Sequence, residues 1–412
     1  MSTSSTSPSR PKVIVITGPT AVGKSNLALT LCRNASQSVT GEIITVDSVQ
    51  VYRALDIGSN KPSKEEQAEV PHHLLDVLEP NAPEAFTAGD FVRKAEEAID
   101  DALARGRIPV VVGGTSMYTQ WLVQGRPDAP KSDPEVELKA RGILAPFQNK
   151  NDWEGGLALL AARNPDRASK LHANDWYRLE RALEVTFMTS PPSSFSSSSS
   201  CSSFNGVRSQ SLTSKYDFRC FFLIAPREEL CHVIDQRCLQ MVEKGLLEET
   251  ASLLSAGVLD PSSPPGRAIG YRQAIEYLSK EGVKNKEEEA VALKLFLKDF
   301  ATATRRYAKQ QMVWYRAQPE FIWLRWNLLD LAPALASLHA SFKEDEMSHF
   351  ERRRGGAQEA LRKENMMEGK RMKAYTSKIL EGLTGDKLET LVRRATDCRA
   401  QVLAAAAAAD KR

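Results

Sequence analysis

The stretch Gly18-Pro19-Thr20-Ala21-Val22-Gly23-Lys24-Ser25 decides the fold. It matches the P-loop pattern G-x-x-x-x-G-K-[ST] at every fixed position. A β-branched run at 13–16 precedes it and indicates a buried parallel strand, and a helical pattern follows from Lys24 to Cys32. Because the motif has the strand and helix it requires, we predict that the loop amides bind phosphate oxygens. Lys24 would add a positive charge, and Ser25 would bind Mg²⁺.

Strand and helix patterns alternate along the rest of the chain. Further strands are predicted at 42–46 and 108–112, with a helix over 87–105 between them. Strand character returns at 218–224 and 321–324, and we expect two or three helices between these two strands. This alternation predicts an α/β fold in which helices flank a parallel sheet that contains the P-loop.

The composition changes along the chain suggest its domain organisation. Strand patterns stop in the region 128–189, which is helical in propensity, and 13 of the 25 residues at 190–214 are serine. A serine-rich segment cannot bury enough apolar surface to offset its ordering entropy. We therefore expect a disordered N-terminal tip at 1–11, a P-loop core at 12–125, a helical insertion at 126–189, a disordered loop at 190–215, the second part of the core at 216–328 and a basic helical C-terminal extension at 329–412.

The bulk composition excludes several classes of protein. Among the 412 residues, 42% are hydrophobic and 26% are charged, with a net charge of +3, and no apolar run approaches the length of a membrane span. The six cysteines form no C-x-x-C pair, so a zinc ribbon or a thioredoxin motif is not expected. We expect a cytoplasmic protein, with a mitochondrial presequence as the alternative because the first ten residues are serine-rich with one arginine and no acid.

Asp47 follows the second predicted strand directly. In open α/β sheets, binding sites lie beyond the carboxyl ends of the strands, so Asp47 should face the same crevice as the P-loop. There it could hold a water on Mg²⁺ or accept a proton from a nucleophile. A turn or helix-capping aspartate is the equally weighted alternative.

Several collinear motifs carry a family resemblance over about residues 12 to 325. They are the run Asp47–Pro62, His72–Asp76, Phe86–Phe91, Gly113–Tyr118, Asn174–Glu184, Arg267–Gln273 and Ala303–Trp314. Together with the P-loop they resemble the tRNA dimethylallyltransferases. This resemblance implies transfer of a dimethylallyl group from dimethylallyl diphosphate to N6 of adenine 37 in the tRNA anticodon stem-loop, with Mg²⁺, by a monomer.

The resemblance also implies roles for individual residues. Asp47 would accept or orient the proton of the amino group, and Thr115 would donate a hydrogen bond at the bridging oxygen. Lys24 and Arg267 would stabilise the departing diphosphate. The structural alternatives are a hydroxyl capping the next helix for Thr115 and a solvated loop residue for Arg267.

The resemblance implies that three short segments contact the tRNA. One of them lies in the helical insertion, whose basic and aromatic residues suit RNA binding. The implied tRNA-binding residues are Ser48, Val49, Gln50, Tyr177, Arg178, Leu179, Glu180, Arg181, Gly270, Tyr271 and Arg272. The chain departs from the family at three positions. Tyr177 and Glu180 stand where bacterial relatives commonly have Gln and Ser, and Gln310 stands where the family often has Arg.

The C-terminal extension lacks the C2H2 zinc finger that ends many eukaryotic relatives. Residues 331–412 hold 16 Lys or Arg and 12 Asp or Glu, a local charge of +4. We hypothesise that the basic tail, with its clusters 352–354 and 370–371, partly replaces the finger electrostatically. A solvated helix is the alternative.

Two rival functions share parts of this pattern. An adenylate isopentenyltransferase acting on free AMP, ADP or ATP tends to have Asp-Lys where this chain has Asp47-Ser48, and it lacks the full helical insertion. A P-loop small-molecule kinase shares the segment Gly18–Ser25 and the fold type. It leaves the motifs Gly113–Tyr118 and Arg267–Gln273 unexplained.

Overall fold

The computed structural model describes residues 10–33, 40–84, 86–125, 133–189, 212–283, 285–325, 330, 332–371, 375–381 and 383–409. The chain divides into a larger unit, 1–125 with 211–412, and a smaller unit, 126–210. Most of the predicted N-terminal tip and residues 190–211 of the predicted serine-rich loop lie outside the described residues. Leu212–Ser214, near the end of that predicted loop, form a short 3-10 helix.

Six parallel strands form the sheet of the larger unit, in the spatial order β3-β2-β4-β1-β5-β6. They are β1 (Lys12–Thr17), β2 (Gly41–Val46), β3 (His72–His73), β4 (Ile108–Gly113), β5 (Asp217–Ile224) and β6 (Ile322–Arg325). Every residue of β2 and β5 is buried, as expected for strands of a parallel sheet covered on both faces. The predicted α/β fold with a parallel sheet is confirmed.

Sixteen α-helices lie in the described residues. They are α1 (Lys24–Arg33), α2 (Lys64–Glu69), α3 (Ala88–Ala104), α4 (Ser116–Gln124), α5 (Pro134–Asn149), α6 (Trp153–Ala161), α7 (Pro165–Ala168), α8 (Trp176–Thr189), α9 (Arg227–Lys244), α10 (Leu246–Ser255), α11 (Tyr271–Leu278), α12 (Lys286–Arg316), α13 (Ala332–Lys343), α14 (Glu346–Arg354), α15 (Gly356–Arg371) and α16 (Gly385–Ala409). Within the described ranges, none of these helices has the length and apolar run needed to cross a membrane.

Two predictions of secondary structure were wrong. Four helices, α9 to α12, separate β5 from β6, where two or three were expected. The edge strand β3 was not predicted, because two residues are too few to give a period-two pattern.

The strand order brings three loops to one edge of the sheet. Strand β4 lies between β1 and β2, with Val110 in register with Ile14 on one side and Ile43 on the other. Because all three strands run in the same direction, the loops that follow them begin side by side. These loops are the P-loop, the turn at Asp47 and the turn at Gly114.

In its described part, 133–189, the smaller unit contains helices α5 to α8 around its own apolar core. Its core residues are Ala140, Leu144, Trp153, Leu160, Ala168, Leu179, Ala182 and Leu183. The rings of Trp153 and Trp176 pack edge to face with their centroids 5.1 Å apart. This contact joins the start of α6 to the start of α8. The helical character predicted for 126–189 therefore holds for the described part, 133–189.

The C-terminal helices belong to the core of the larger unit. Apolar residues of α16, among them Leu391, Val392, Ala395 and Val402, join the same hydrophobic cluster as the strands of the sheet. The predicted extension at 329–412 is therefore not an independent module: its last helix packs against α10 and α12.

A buried ion pair fixes α16 to the core. Arg399 is 5% exposed and Glu289, on α12, is 2% exposed. Two guanidinium nitrogens of Arg399 donate to the two carboxylate oxygens of Glu289 at 3.1 and 2.9 Å, and Arg399 also donates to the carbonyls of Tyr277 and Lys280 at 2.7 and 2.6 Å. The Tyr277 hydroxyl donates to the same carboxylate. Every charged atom of the pair thus has a partner, which makes its burial tolerable.

Replacing Arg399 with Met should destabilise the protein by about 3–5 kcal/mol, because it leaves the buried carboxylate of Glu289 without its cation. The neighbouring Arg393 is exposed, so Arg393→Met should change the stability by less than about 0.5 kcal/mol. Urea denaturation of the two variants checks this. Equal stabilities would show that α16 is not held by this pair.

Candidate active site

A cavity lies at the carboxyl ends of β1, β2 and β4, within the larger unit. Its lining residues are Thr20, Lys24, Ser25, Ile43, Thr45, Asp47, Gln50, Ser59, Asn60, Pro62, His72, Val112, Gly113, Gly114, Arg237, Tyr307 and Gln311. The structure therefore brings together the predicted Lys24, Ser25 and Asp47, as the strand order requires. It also adds residues from α9 and α12 that the sequence analysis did not identify.

The P-loop forms the turn between β1 and α1. Gly23 has φ +91°, a left-handed conformation that favours glycine, and α1 begins at the next residue, Lys24. The Lys24 ammonium donates to the carbonyls of Gly18 and Pro19 at 3.0 and 2.8 Å. Burial, with a smaller contribution from the Arg237 guanidinium, lowers the pKa of Lys24 to about 7, and the Asp47 carboxylate opposes this shift. Lys24 is therefore poised to gain a full charge when an anion arrives.

Arg237 supplies a second cation to the cavity. It lies on α9, and its Nη2 donates to the Thr20 hydroxyl at 2.6 Å. Burial lowers the pKa of the Arg237 guanidinium, and its Nε has no hydrogen-bond partner among the described residues. A buried guanidinium with a spare donor suits an anionic ligand. Nothing in the helical stretch 227–244 distinguishes this arginine from its charged neighbours, so only the tertiary structure identifies it.

Arg267 does not take the predicted place. Its side chain is exposed in the loop before α11 and is not part of the cavity lining. Arg237 lines the cavity instead, and the diphosphate-binding role of Arg267 stays a prediction. The structural alternative given above, a solvated loop arginine, describes Arg267 as found.

Asp47 lies in the wall of the cavity and also forms a turn. Its Oδ1 accepts hydrogen bonds from the backbone amides of Val49 and Gln50 at 2.8 and 3.2 Å. Burial raises the pKa of Asp47, while these two amides and the positive charges of Lys24 and Arg237 oppose the shift. Both alternatives for Asp47 therefore apply together: the turn fixes the carboxylate in place, and the cavity gives it access to a ligand.

Thr115 stands beside this turn, at the residue before α4. Its hydroxyl makes no capping bond to α4, so the capping alternative does not hold. The hydroxyl oxygen instead accepts a hydrogen bond from the backbone amide of Ser48 at 3.2 Å. This contact leaves the hydroxyl proton for another acceptor. Thr115 itself is not in the cavity lining, but its neighbours Gly113 and Gly114 are.

Gln50 braces the opposite wall. Its side-chain amide donates to the carbonyls of Ser59 and Asn60 at 3.0 and 3.1 Å, and all three residues line the cavity. Of the other two predicted contacts in this segment, Ser48 is exposed and Val49 is half-buried. Ser48 and Gln50 therefore offer polar atoms at or near the cavity.

A carboxylate behind this wall holds it in position. Glu249 accepts hydrogen bonds from three consecutive backbone amides, those of residues 56, 57 and 58, at 2.9, 2.8 and 3.1 Å. The hydroxyl of Tyr271 donates to Glu249 at 2.6 Å. Tyr271 is fully buried, so its side chain supports the wall and cannot meet RNA as predicted. Its neighbour Gly270 is also buried, whereas Arg272 is exposed and lies 3.8 Å from Glu276.

Comparisons with known proteins identify the family of this chain. A family model described as IPP transferase matches residues 50–318, and one described as isopentenyl transferase matches residues 11–77. The chain belongs to the IPP transferase family. It is 42% identical over 337 residues to tRNA dimethylallyltransferase 9 of Arabidopsis thaliana, covering 76% of this chain and 71% of that protein.

Solved structures of IPP transferases match as well. A eukaryotic dimethylallyltransferase described as acting on tRNA is 30% identical with a TM-score of 0.60, covering 80% of this chain and 77% of that one. The tRNA isopentenylpyrophosphate transferase of Bacillus halodurans is 28% identical with a TM-score of 0.55, covering 84% of this chain and 98% of that one.

The helical unit of this IPP transferase presents only part of its predicted RNA-binding segment. Tyr177 is 81% exposed, and Arg178 is exposed with an ion pair to Asp175 at 3.2 Å. Leu179 is fully buried in the core of the unit, so its side chain cannot meet RNA as predicted. The remaining two residues, Glu180 and Arg181, form ion pairs with Arg141 and Glu184 at 3.2 and 2.6 Å.

The arginines of the C-terminal extension largely serve the scaffold. Arg352 pairs with Glu344 at 3.4 Å, and Arg353 donates to the carbonyl of Glu320 at 3.4 Å. Arg354 is exposed, with its guanidinium 4.6 Å from the ring centroid of Phe350. The side chains of residues 370 and 371 lie outside the described part. Two of the three clustered arginines are therefore engaged inside the protein.

Arg237→Gln should weaken the binding of inorganic diphosphate about 10- to 100-fold, because it removes charge-assisted hydrogen bonds from the cavity. Arg267→Gln makes the same chemical change at the exposed position and should alter the affinity less than about twofold. Isothermal titration calorimetry of both variants measures this. The reverse ranking would restore Arg267 as the anion-binding arginine.

The affinity for inorganic diphosphate should also fall as the pH rises above 7. The pKa of Lys24 lies at about 7 in the free protein, and the bound anion stabilises the charged form. Binding above pH 7 must therefore take up a proton, which costs up to about tenfold in affinity per pH unit. In Lys24→Met the diphosphate itself still titrates, but no lysine proton is taken up on binding. The affinity of this variant for diphosphate should therefore depend less steeply on pH than that of the wild type. Identical pH profiles would mean that Lys24 does not titrate in this range.

Proposed function

We propose that this protein transfers a dimethylallyl group from dimethylallyl diphosphate to N6 of adenine 37 in the tRNA anticodon loop. The products are N6-isopentenyladenosine and diphosphate. One observation carries the proposal: the half-buried carboxylate of Asp47 shares a cavity with a P-loop and two basic side chains, Lys24 and Arg237. The names of the relatives and of the eukaryotic structure support tRNA as the acceptor.

The donor side stabilises the leaving diphosphate. As the allylic C–O bond breaks, negative charge grows on the diphosphate, and groups already fixed around it stabilise that charge without reorganising. Lys24 and Arg237 supply positive charge, and the amides of the P-loop supply hydrogen bonds. Because both cations are held in a desolvated cavity, their interaction with the anion is stronger than at a surface.

The acceptor side activates a weak nucleophile. The lone pair of the adenine amino group is delocalised into the ring, so bond formation at N6 requires that its proton be accepted as the new C–N bond forms. Burial raises the pKa of Asp47, which makes its carboxylate a better proton acceptor than an exposed aspartate. The Asx-type turn to Val49 and Gln50 holds the carboxylate in one orientation.

Thr115 completes the reacting centre from the side. Its hydroxyl oxygen accepts a hydrogen bond from the Ser48 amide and interacts with the Tyr307 hydroxyl, and its proton can be donated to an acceptor on the substrate. We assign that acceptor as the bridging oxygen of the donor. Loss of one such donor typically lowers the rate by about 10²–10³.

We propose that Mg²⁺ accompanies the diphosphate. Ser25 lines the cavity, and the described residues contain no group of three His, Cys, Asp or Glu side chains that could hold a metal. Mg²⁺ in phosphate-transfer sites keeps several waters and takes oxygen ligands from the substrate, so one hydroxyl is a sufficient protein contribution. When bound, the ion would neutralise charge on the leaving group.

The acceptor adenine must leave its stack to reach the cavity. Exposed Tyr177 and Arg178 on the helical unit can stack on bases and pair with phosphates of the RNA. We also propose that the protein acts as a monomer in the cytoplasm, with the mitochondrion as the alternative compartment.

The test is a transfer assay with labelled dimethylallyl diphosphate and Mg²⁺, using an anticodon stem-loop with three consecutive adenines and, separately, free AMP. Wild type should label the stem-loop. Asp47→Asn should lower this rate by about 10²–10⁴, because it keeps the shape and removes the base. Asp101→Asn, an exposed position on α3, is the matched control and should retain the wild-type rate.

The outcomes separate the rival functions. Label in AMP and not in the stem-loop would move the protein to the adenylate isopentenyltransferases. Label in neither acceptor, together with phosphate transfer from ATP to a small molecule, would leave the kinase. An unchanged rate for Asp47→Asn would remove Asp47 as the base while keeping the reaction.

A further inference from the structure

The side chain of Gln311 connects two neighbouring loops of the cavity, the P-loop and the turn at Gly114. It lies on α12 and is 2% exposed. Its carbonyl oxygen accepts a hydrogen bond from the backbone amide of Thr20 in the P-loop at 2.8 Å. Its amide nitrogen donates to the backbone carbonyl of Gly114 at 2.8 Å. One buried amide group therefore joins the P-loop to the turn that carries Thr115.

This connection fixes the orientation of the peptide between Gly114 and Thr115. The carbonyl of Gly114 points to Gln311, while the amides of Gly114 and Thr115 both donate to the carbonyl of Val46 at 3.2 and 3.3 Å. Tyr307, one helical turn before Gln311, donates to the same Gly114 carbonyl at 3.3 Å. The turn is thus held from β2 on one side and from α12 on the other.

The close approach of Gln311 also explains the residue at 114. A Cβ atom added to Gly114 would lie 2.4 Å from the side-chain nitrogen of Gln311, which is far inside contact distance. Residue 114 does not have a positive φ. A larger residue here would therefore have to displace the side-chain amide of Gln311.

On the other side, Gln311 acts on the same residue as Arg237. The amide of Thr20 donates to Gln311, and the hydroxyl of Thr20 accepts from Arg237. The Thr20 amide is therefore used inside the protein rather than offered to a phosphate. Thr20 becomes the point where α9, α12 and the P-loop meet.

We infer that Gln311 is a positioning residue that sets the separation between the diphosphate-binding P-loop and the Thr115 hydroxyl. It touches neither the dimethylallyl group nor the acceptor. The inference rests on the proposed function, because it assigns the spacing to the transfer step. Glutamine suits this position because its side chain carries an acceptor and a donor on one carbon, whereas glutamate has no donor and methionine has neither strong group.

The experiment uses Gln311→Met, which keeps the length of the side chain and removes both hydrogen bonds. The adjacent Gln310 is exposed, so Gln310→Met is the matched control and should keep the wild-type kcat. Gln311→Met should lower kcat for stem-loop prenylation about 10- to 100-fold. Its Kd for inorganic diphosphate should stay within about threefold of wild type, because Lys24 and Arg237 remain.

A double-mutant cycle with Thr115→Ala distinguishes positioning from general damage. If Gln311 acts by placing Thr115, Gln311→Met should lower kcat less than about threefold once Thr115 has been replaced. If Gln311→Met lowers kcat by the same factor in the wild-type background and in the Thr115→Ala background, the inference is overturned. An unchanged kcat of Gln311→Met, or an equal loss of its affinity for diphosphate, would also overturn it. The binding stoichiometry for diphosphate gives the folded fraction to which each kcat is normalised.

Gly114→Ala provides a second route that leaves Gln311 in place. The added methyl group should displace the Gln311 amide and reproduce the loss of kcat, again with diphosphate affinity retained. A Gly114→Ala variant with normal kcat would contradict the inference even if Gln311→Met failed to fold. Wild-type transfer is measured in the same experiment. If the wild type does not transfer the dimethylallyl group, the proposed function is rejected. If it does, the kcat values of the variants test the role of Gln311 separately.

Discussion

Two like charges held together in a desolvated cavity are the constraint on which the site depends. Lys24 and Arg237 each lose hydration, and the guanidinium of Arg237 adds to the lowering of the pKa of Lys24 to about 7. Such an arrangement is unfavourable until an anion enters, and a diphosphate relieves both the repulsion and the lost hydration at once. The carboxylate of Asp47 compensates only in part, because burial raises its own pKa. A bound diphosphate would therefore interact favourably with both side chains.

The scaffold holds these charges by connecting every loop of the site to a long element. The P-loop is tied through Thr20 to α9 by Arg237 and to α12 by Gln311. The segment at 56–58 is held through its backbone amides by Glu249 of α10. Sites on loops are precise only when other groups lock the loops, and here side chains from three helices do so: Arg237, Glu249 and Gln311. Gln311 also joins the P-loop to the turn at Gly114, so the supports of the site are linked through α12.

The sequence predicted the parts of the site that are local in the chain. The P-loop and Asp47 each follow a strand directly, so motif and secondary structure together locate them at the same edge of the sheet. Arg237, Glu249 and Gln311 could not be chosen in this way. Each lies in a helix among other polar residues, and each reaches the site only through the packing of α9, α10 and α12 against the sheet. The same limit explains Leu179 and Tyr271: a family motif identifies the segment, but burial decides which side chains of the segment face outward.

The C-terminal extension shows why net charge is a poor guide to function when arginines are buried. Its positive balance suggested a surface for RNA, yet Arg399 pairs with Glu289 in the core and Arg362 donates to the carbonyls of Gln318 and Phe321. An arginine whose N–H groups already donate to carbonyls or a carboxylate inside the protein is not free to bind RNA phosphates. It therefore releases few counterions from RNA and adds little to RNA affinity. The same contacts brace α12, because Glu289 lies near its start and Gln318 follows its end. Since α12 carries Gln311 and Tyr307 into the cavity, these contacts connect the extension to the helix that lines the candidate active site.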